Sequence, residues 1–248
     1  MLQDPKQSRL AAAELTGLAK AGFILDCGLI DGIAEGLNSA NADVRCYSAE
    51  VLGWIHHAKV IKPLAKTLLE DKNTETRQAA ASALAKVGDF SAAETLIKAL
   101  ADADYHVIDN AISGLERLTN QSLYTNEIEE KKNIRIIADK WIALWSTKSF
   151  IPQNQWIVEG FQNEDINLRN LADKENITLL MPALKHKKWY IQYNANECLK
   201  KITGQNFESI FFEPIEYFHW KKNSEETNTI IIKWEEWWRQ QMQKDKVK

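Results

Sequence analysis

The sequence predicts an all-α protein, a solenoid of stacked helical hairpins set out as two similar blocks. Three observations lead there. A stretch recurs as Val44–Leu52, Thr76–Leu84 and Val107–Leu115, at steps of 32 and then 31 residues. Between the copies, helix-forming residues with apolar positions at helical spacing alternate with short polar turns. A longer duplication then gives each half of the chain the same tryptophan-rich ending.

The elements follow in order. Arg9–Leu15 reads as the second helix of a hairpin whose partner is missing, and Leu29–Leu37 with Val44–Ile55 as a weak first hairpin. The clearest unit has a first helix over Val60–Leu69, with Pro63 in the opening turn where an absent N–H costs little. After the polar turn Asp71–Thr74, a second helix over Thr76–Val87 ends at Gly88, a residue suited to a left-handed cap. Ala92–Leu100, the turn Ala101–Asp104 and Val107–Leu118 repeat the plan. Alanine at 79–81, 83 and 85 lets neighbouring helices approach closely, and a lone hairpin could not bury Leu68, Leu84 and Val87. The pattern returns in Thr178–Leu184 and Tyr190–Leu199, displaced by 84 residues from Val107; residues 151–174 read as a degenerate hairpin using Trp156–Val158 and Leu168–Leu171.

Leu118-Thr119-Asn120-Gln121 matches Ile202-Thr203-Gly204-Gln205, and Lys140-Trp141 with Trp145 matches Lys233-Trp234 with Trp238, 93 residues on. Four-residue spacing puts each tryptophan pair on one helix face. The expected role is structural: an amphipathic helix lays its aromatic stripe over the last repeat and seals it. The alternative, an aromatic platform for a sugar or base, lacks neighbouring polar clusters.

Composition marks the same division. Residues 1–124 hold 22 alanines against 5 afterwards, and eight of nine tryptophans lie beyond residue 140. The expected domains are 1–147, ending in the Trp141/Trp145 helix, and 148–248, ending in the Trp234/Trp238 helix. Net charge is -3, with 12 basic and 16 acidic side chains in 1–124 and 19 and 18 in the rest, so no concentrated positive field favours nucleic acid. Cys27, Cys46 and Cys198 are too few and too scattered for a disulfide framework or a structural zinc site. No run of about 18 apolar residues appears, and Met1–Lys20 lacks the order of a signal peptide. A cytoplasmic location is the default expectation, with the cell envelope as the alternative if a leader or further repeats were trimmed.

Asp71 with Arg77, Val44-Arg45, and the small-residue packing of 80–84 and 111–115 resemble HEAT-type repeats, particularly the short bacterial variety found in phycobilisome lyase subunits. The resemblance covers about 28–120 well and 175–204 moderately. It implies an α-solenoid whose second helices line a concave surface used in protein–protein contact, and it implies no activity. Ile108 and Gln192 stand where the pattern has arginine, which interrupts any continuous Asp–Arg ladder.

No Gly-rich phosphate loop, His-Glu-x-x-His or Gly-x-Ser-x-Gly is present. His56 and His57 read as caps at a helix end, and Asp102, Asp104 and His106 as a helix-start turn, in preference to metal ligands. Cys198 falls in the small-residue register of Val51, Ala83 and Gly114 and reads as a buried, inert thiol; Cys46 is expected to be more exposed. Lys185, Lys187 and Lys188 beside Trp189 and Tyr190 form the one basic and aromatic cluster; a solvated turn is preferred, with anion binding as the alternative.

If the second helices bury Val44, Ala49, Leu52 and Ile55, the opposite face carries Cys46, Glu50 and Trp54. Its stacked equivalents are Gln78, Ser82 and Lys86, then Asp109, Ser113 and Arg117, then Tyr193, Glu197 and Lys201. This ladder is the expected partner-binding surface. Trp54 is its odd member, either an interface anchor or a filler near Phe23. The expected function is a non-catalytic scaffold or adaptor for an unidentified protein, with no cofactor, metal or membrane span. The runner-up is a bilin-lyase-like or enzyme-accessory protein in which His56, His57 or Cys46 would matter, and a HEAT-like DNA glycosylase stands third.

Overall fold

The protein, seen in a computed structural model, is described over residues 5–20, 27–124, 133–207 and 224–246. Among these residues lie twelve α-helices and no strand. The chain divides into two compact units, Met1–Leu118 with Ser122–Phe150, and Thr119–Gln121 with Ile151–Lys248.

The first unit comprises α1 (Pro5–Lys20), α2 (Cys27–Glu35), α3 (Ala42–Leu52), α4 (Ile61–Glu70), α5 (Thr74–Val87), α6 (Ala93–Ala99), α7 (Tyr105–Thr119) and α8 (Ile134–Lys148). Asparagine side chains start the repeat helices: Asn41 Oδ1 accepts from Asp43 N and Asn73 Oδ1 from Thr76 N, both at 2.8 Å. Gly88, at φ 68°, ends α5 in the expected left-handed conformation. Helix α3 stops at Leu52, three residues short of the expected Ile55, so His56 and His57 lie beyond it.

The second helices form a row, with α3 packed between α1 and α5. Asn110 Nδ2 donates to Gln78 O (3.2 Å) and Arg117 Nη1 to Ala85 O (3.1 Å), setting α7 beside α5. First helices form the facing row, in which α4 packs on α6 and α6 on α8. The tryptophan-bearing α8 therefore takes the place that the first helix of another repeat would hold. Trp141 is fully buried and Trp145 partly so, in the core shared with Leu64, Leu84 and Leu96. Burying each such leucine contributes about 1.5–3 kcal/mol, which a single hairpin with one face in water would forgo. The expected sealing role of α8 is what the structure shows.

The second unit comprises α9 (Gln153–Gln162), α10 (Ile177–Ala183), α11 (Trp189–Thr203) and α12 (Ser224–Lys246). Helices α10 and α11 form the expected hairpin, and α9 rests on α11. The second helix expected over Leu168–Leu171 is absent: the segment is irregular, and Leu168 and Leu171 reach the core from turns. Trp234 on α12 is fully buried, and its Nε1 donates to Asn196 Oδ1 on α11 at 2.8 Å. The matched endings share a backbone device, since Asn120 (φ 59°) and Gly204 (φ 70°) both take the left-handed conformation just past α7 and α11.

Candidate interaction surface

Charged hydrogen bonds fix the repeats side by side. Arg45 donates from Nε and Nη2 to Asp71 Oδ2 and Oδ1 at 2.6 and 2.9 Å, and Arg77 does the same to Asp102 at 2.7 and 3.1 Å. Each arginine thus reaches the aspartate of the next repeat, where the sequence had associated Asp71 with Arg77. Both pairs are largely buried. Burial alone would raise the Asp71 and Asp102 carboxyls, but hydrogen bonds from Arg45 and Arg77 and from backbone N–H groups outweigh it and hold both below the usual carboxylate range.

A second series of bonds runs through backbone carbonyls. Arg45 Nη1 donates to Ser39 O (3.0 Å) and Arg77 Nη1 to Asp71 O (2.9 Å), in each case the carbonyl six residues before the arginine. At the next register Ile108 has nothing to donate, and Arg135 from α8 reaches the corresponding Asp102 O instead, with Leu100 O at 3.1 Å. Gln192 fills the same role toward His186 O in the second unit. Other donors therefore make the carbonyl bonds at these two registers, but neither restores an arginine–aspartate pair between repeats.

On this frame Cys46 and Glu50 lie on α3, Gln78, Ser82 and Lys86 on α5, and Asp109, Ser113 and Arg117 on α7, while Trp54 falls in the turn beyond the end of α3. Cys46, Gln78, Ser82, Lys86, Asp109 and Arg117 are half-buried, and Glu50 is exposed. Ser113 is buried, against the expectation that it points to water. Trp54 is 9% exposed, with Lys86 Nζ 4.7 Å from the centre of its ring. Its burial under Lys86 fits the filler reading; Phe23, the neighbour expected for it, lies outside the described residues. Gln78 Nε2 donates to Asp104 Oδ1 (2.9 Å), which also accepts from the N–H groups of His106 and Val107, so Asp104 starts α7. Tyr193 and Glu197, half-buried, and Lys201, exposed, lie on α11 of the second unit. Lys200 Nζ pairs with Glu197 at 3.0 Å.

Sequence reading stopped the ladder one turn early. Asp43, Glu75 and His106 stand in the same columns, three residues before Cys46, Gln78 and Asp109, and helical periodicity alone points to them. Cys46 Sγ sits 3.9 Å from both Glu50 Oε1 and Glu75 O. Burial, then the charges of Glu50, Glu75 and Asp43, push its thiol up to about 12. Burial pushes Cys198 up to about 12 as well. Both thiols are thus protonated at neutral pH, and neither is set up as a nucleophile.

The remaining candidates are engaged locally. His56 Nδ1 lies 3.3 Å from Val87 O, the last residue of α5, and His57 Nδ1 accepts from Lys59 N. Lys185 pairs with Glu235 and Lys188 with Glu164, so carboxylates oppose two of the three lysines proposed for an anion, while Lys187 is exposed. His186 Nε2 faces Glu164 at 3.5 Å; burial, which Glu164 only partly offsets, leaves His186 below its ordinary value. Among the described residues no three His, Cys, Asp or Glu side chains group to hold a metal, and no helix is long and apolar enough to cross a membrane.

Residues 30–116 match the family model for HEAT repeats. No curated protein matches the chain in sequence. Among solved structures, the complex of CpcE and CpcF of phycocyanin lyase from Nostoc sp. PCC7120 is similar at 20% identity over 71% of this chain, with a TM-score of 0.36. The match spans 65% of that chain, less than two thirds of its length. An engineered protein is similar at 19% identity, covering 81% of this chain and 92% of that one, with a TM-score of 0.41. A designed armadillo repeat protein in complex with the peptide (KR)4 is similar at 18% identity, covering 81% and 96%, also at 0.41. The period of the hairpins, the arginine–aspartate bonds between them and the family match agree that residues 30–116 of this chain are HEAT repeats.

Proposed function

We propose that the protein is a non-catalytic interaction scaffold that holds a protein partner on the ladder face of α3, α5 and α7. One observation carries this reading: side chains at a constant register on three stacked helices present a polar face, Glu50 exposed and Cys46, Gln78, Ser82, Lys86 and Asp109 half-buried, on a frame locked by Arg45–Asp71 and Arg77–Asp102. A rigid array of this kind binds without paying to order itself. The protonated thiols of Cys46 and Cys198 and the backbone contacts of His56 and His57 support a role without chemistry.

The test compares two single substitutions in affinity capture from the native host. Ser82→Arg places a bulky cation in the middle of the ladder, and Lys66→Glu changes an exposed residue of α4. A partner retained by the parent and by Lys66→Glu but lost by Ser82→Arg supports the scaffold. Retention by Ser82→Arg with unchanged affinity contradicts it.

A further inference from the structure

The two matched endings differ in one respect: the first is covered and the second is open. Leu118, Thr119, Asn120 and Gln121 are all buried, whereas Ile202, Thr203 and Gln205 are half-buried and Gly204 is exposed. Helix α9 covers the first. Asn120 Nδ2 donates to Ile157 O at 3.2 Å and Gln121 Nε2 to Trp156 O at 3.5 Å, and a Cβ on Gly160 would stand 2.0 Å from Asn120 O. Two side-chain amides thus take successive carbonyls of a helix, and a glycine lets that helix approach the left-handed turn. Trp156, one turn before Gly160 on the same face, is fully buried. The second ending repeats the frame: Gly204 is left-handed with its N–H on Lys200 O at 2.9 Å, Thr203 Oγ1 accepts the N–H of Gln205 at 3.1 Å, and Trp234 is buried as Trp141 is. Yet among the described residues nothing stands within 4 Å of a Cβ built on Gly204.

We infer that Ile202, Gly204 and Gln205 form a docking site for a helix of a partner protein that carries the Trp-x-x-x-Gly pattern of α9. Gln205 Nε2 donates to a backbone carbonyl of that helix, as Gln121 does to Trp156 O; the helix glycine gives close approach to Gly204 O; and its tryptophan supplies apolar area. A second copy of the chain cannot offer its own α9 without giving up the bonds to its Asn120 and Gln121, so the helix comes from a different protein. This surface lies at the end of α11 and stands independently of partner binding on α3, α5 and α7.

Fluorescence anisotropy of a labelled peptide of residues 152–164, the α9 sequence, added to the full chain reads this directly. The same peptide with Gly160→Val serves as the comparison. The parent peptide is expected to bind, and the Gly160→Val peptide to bind roughly tenfold more weakly or not at all. In the full chain, Gly204→Asn adds the amide that Asn120 provides at the first ending and should tighten binding roughly threefold or more, while Gln205→Ala removes a donor and should weaken it by about as much. Circular dichroism melting of each variant confirms that it is folded. No binding up to about 1 mM peptide, or equal binding of the two peptides, would overturn the inference. So would an affinity unchanged by both Gly204→Asn and Gln205→Ala, since the peptide would then be exchanging with α9 at the first ending. Dimerisation of the full chain in sedimentation, abolished by Gln205→Ala, would give the site to a second copy and overturn the partner helix. None of these results bears on the ladder, which capture with Ser82→Arg tests separately.

Discussion

Asp71 is held from two sides: its carboxylate accepts both Nε and Nη2 of Arg45 from the preceding repeat, while its backbone carbonyl accepts Nη1 of Arg77 from its own. One residue thereby stitches two hairpins and anchors the turn between α4 and α5 of its own. Asp71→Ala should cost on the order of 3 kcal/mol in chemical unfolding, because it leaves a largely buried guanidinium without its carboxylate. Arg45→Met with Asp71→Leu, which removes both charges, should cost clearly less than Asp71→Ala alone. A double variant no more stable than the single one would show that the unpaired Arg45 charge is not what makes Asp71→Ala costly.

Acid should weaken the stack in a defined window. Asp71 and Asp102 are held below their unfolded values, so on acidification the unfolded chain takes up protons first. Their contribution is complete above about pH 4 and is lost as pH falls through the depressed folded-state values. Melting temperature followed from neutral pH downward should drop in that range for the parent, and drop less steeply for Asp71→Asn with Asp102→Asn. Identical slopes would mean that these carboxylates do not govern acid stability.

Arg135 closes the carbonyl series that Ile108 leaves open. Arg135→Ala should destabilise the protein by about 1–2 kcal/mol, since Asp102 O and Leu100 O lose a charged donor. Hydrogen exchange should show the loss first in α8. A change below about 0.3 kcal/mol would make the contact incidental.

Two glycines of the second unit should respond oppositely. A Cβ on Gly160 would stand 2.0 Å from Asn120 O, within the same unit, so Gly160→Ala should prevent close packing and cost more than about 3 kcal/mol. Gly204 has open space around it, and its counterpart Asn120 already holds the left-handed conformation. Gly204→Asn should therefore cost less than about 1 kcal/mol by thermal melting. Equal losses would dissociate the two matched endings.

The repeat helices were legible in the sequence because their period, caps and apolar faces are local properties, as Asn73, Gly88 and Leu84 illustrate. What distance in the chain conceals was not. Asp71 lies six residues from Arg77 in sequence, yet its side chain serves Arg45, 26 residues away. Arg135 falls outside the repeat period, so nothing local marks it as the substitute for an arginine at 108. Leu168 and Leu171 have helical spacing but reach the core from an irregular segment, because apolar spacing records burial and not the backbone that achieves it. The ladder columns were readable, but the cover that Lys86 gives Trp54 was not, since it depends on a residue one repeat away.

Site-specific photo-crosslinking tests the ladder face most directly. A photoreactive side chain placed at Ser82 on α5, and separately at Lys66 on α4, is irradiated in the native host. Adducts to a single partner from position 82 and none from position 66 are the predicted result; adducts from position 66 with none from position 82 would contradict the account.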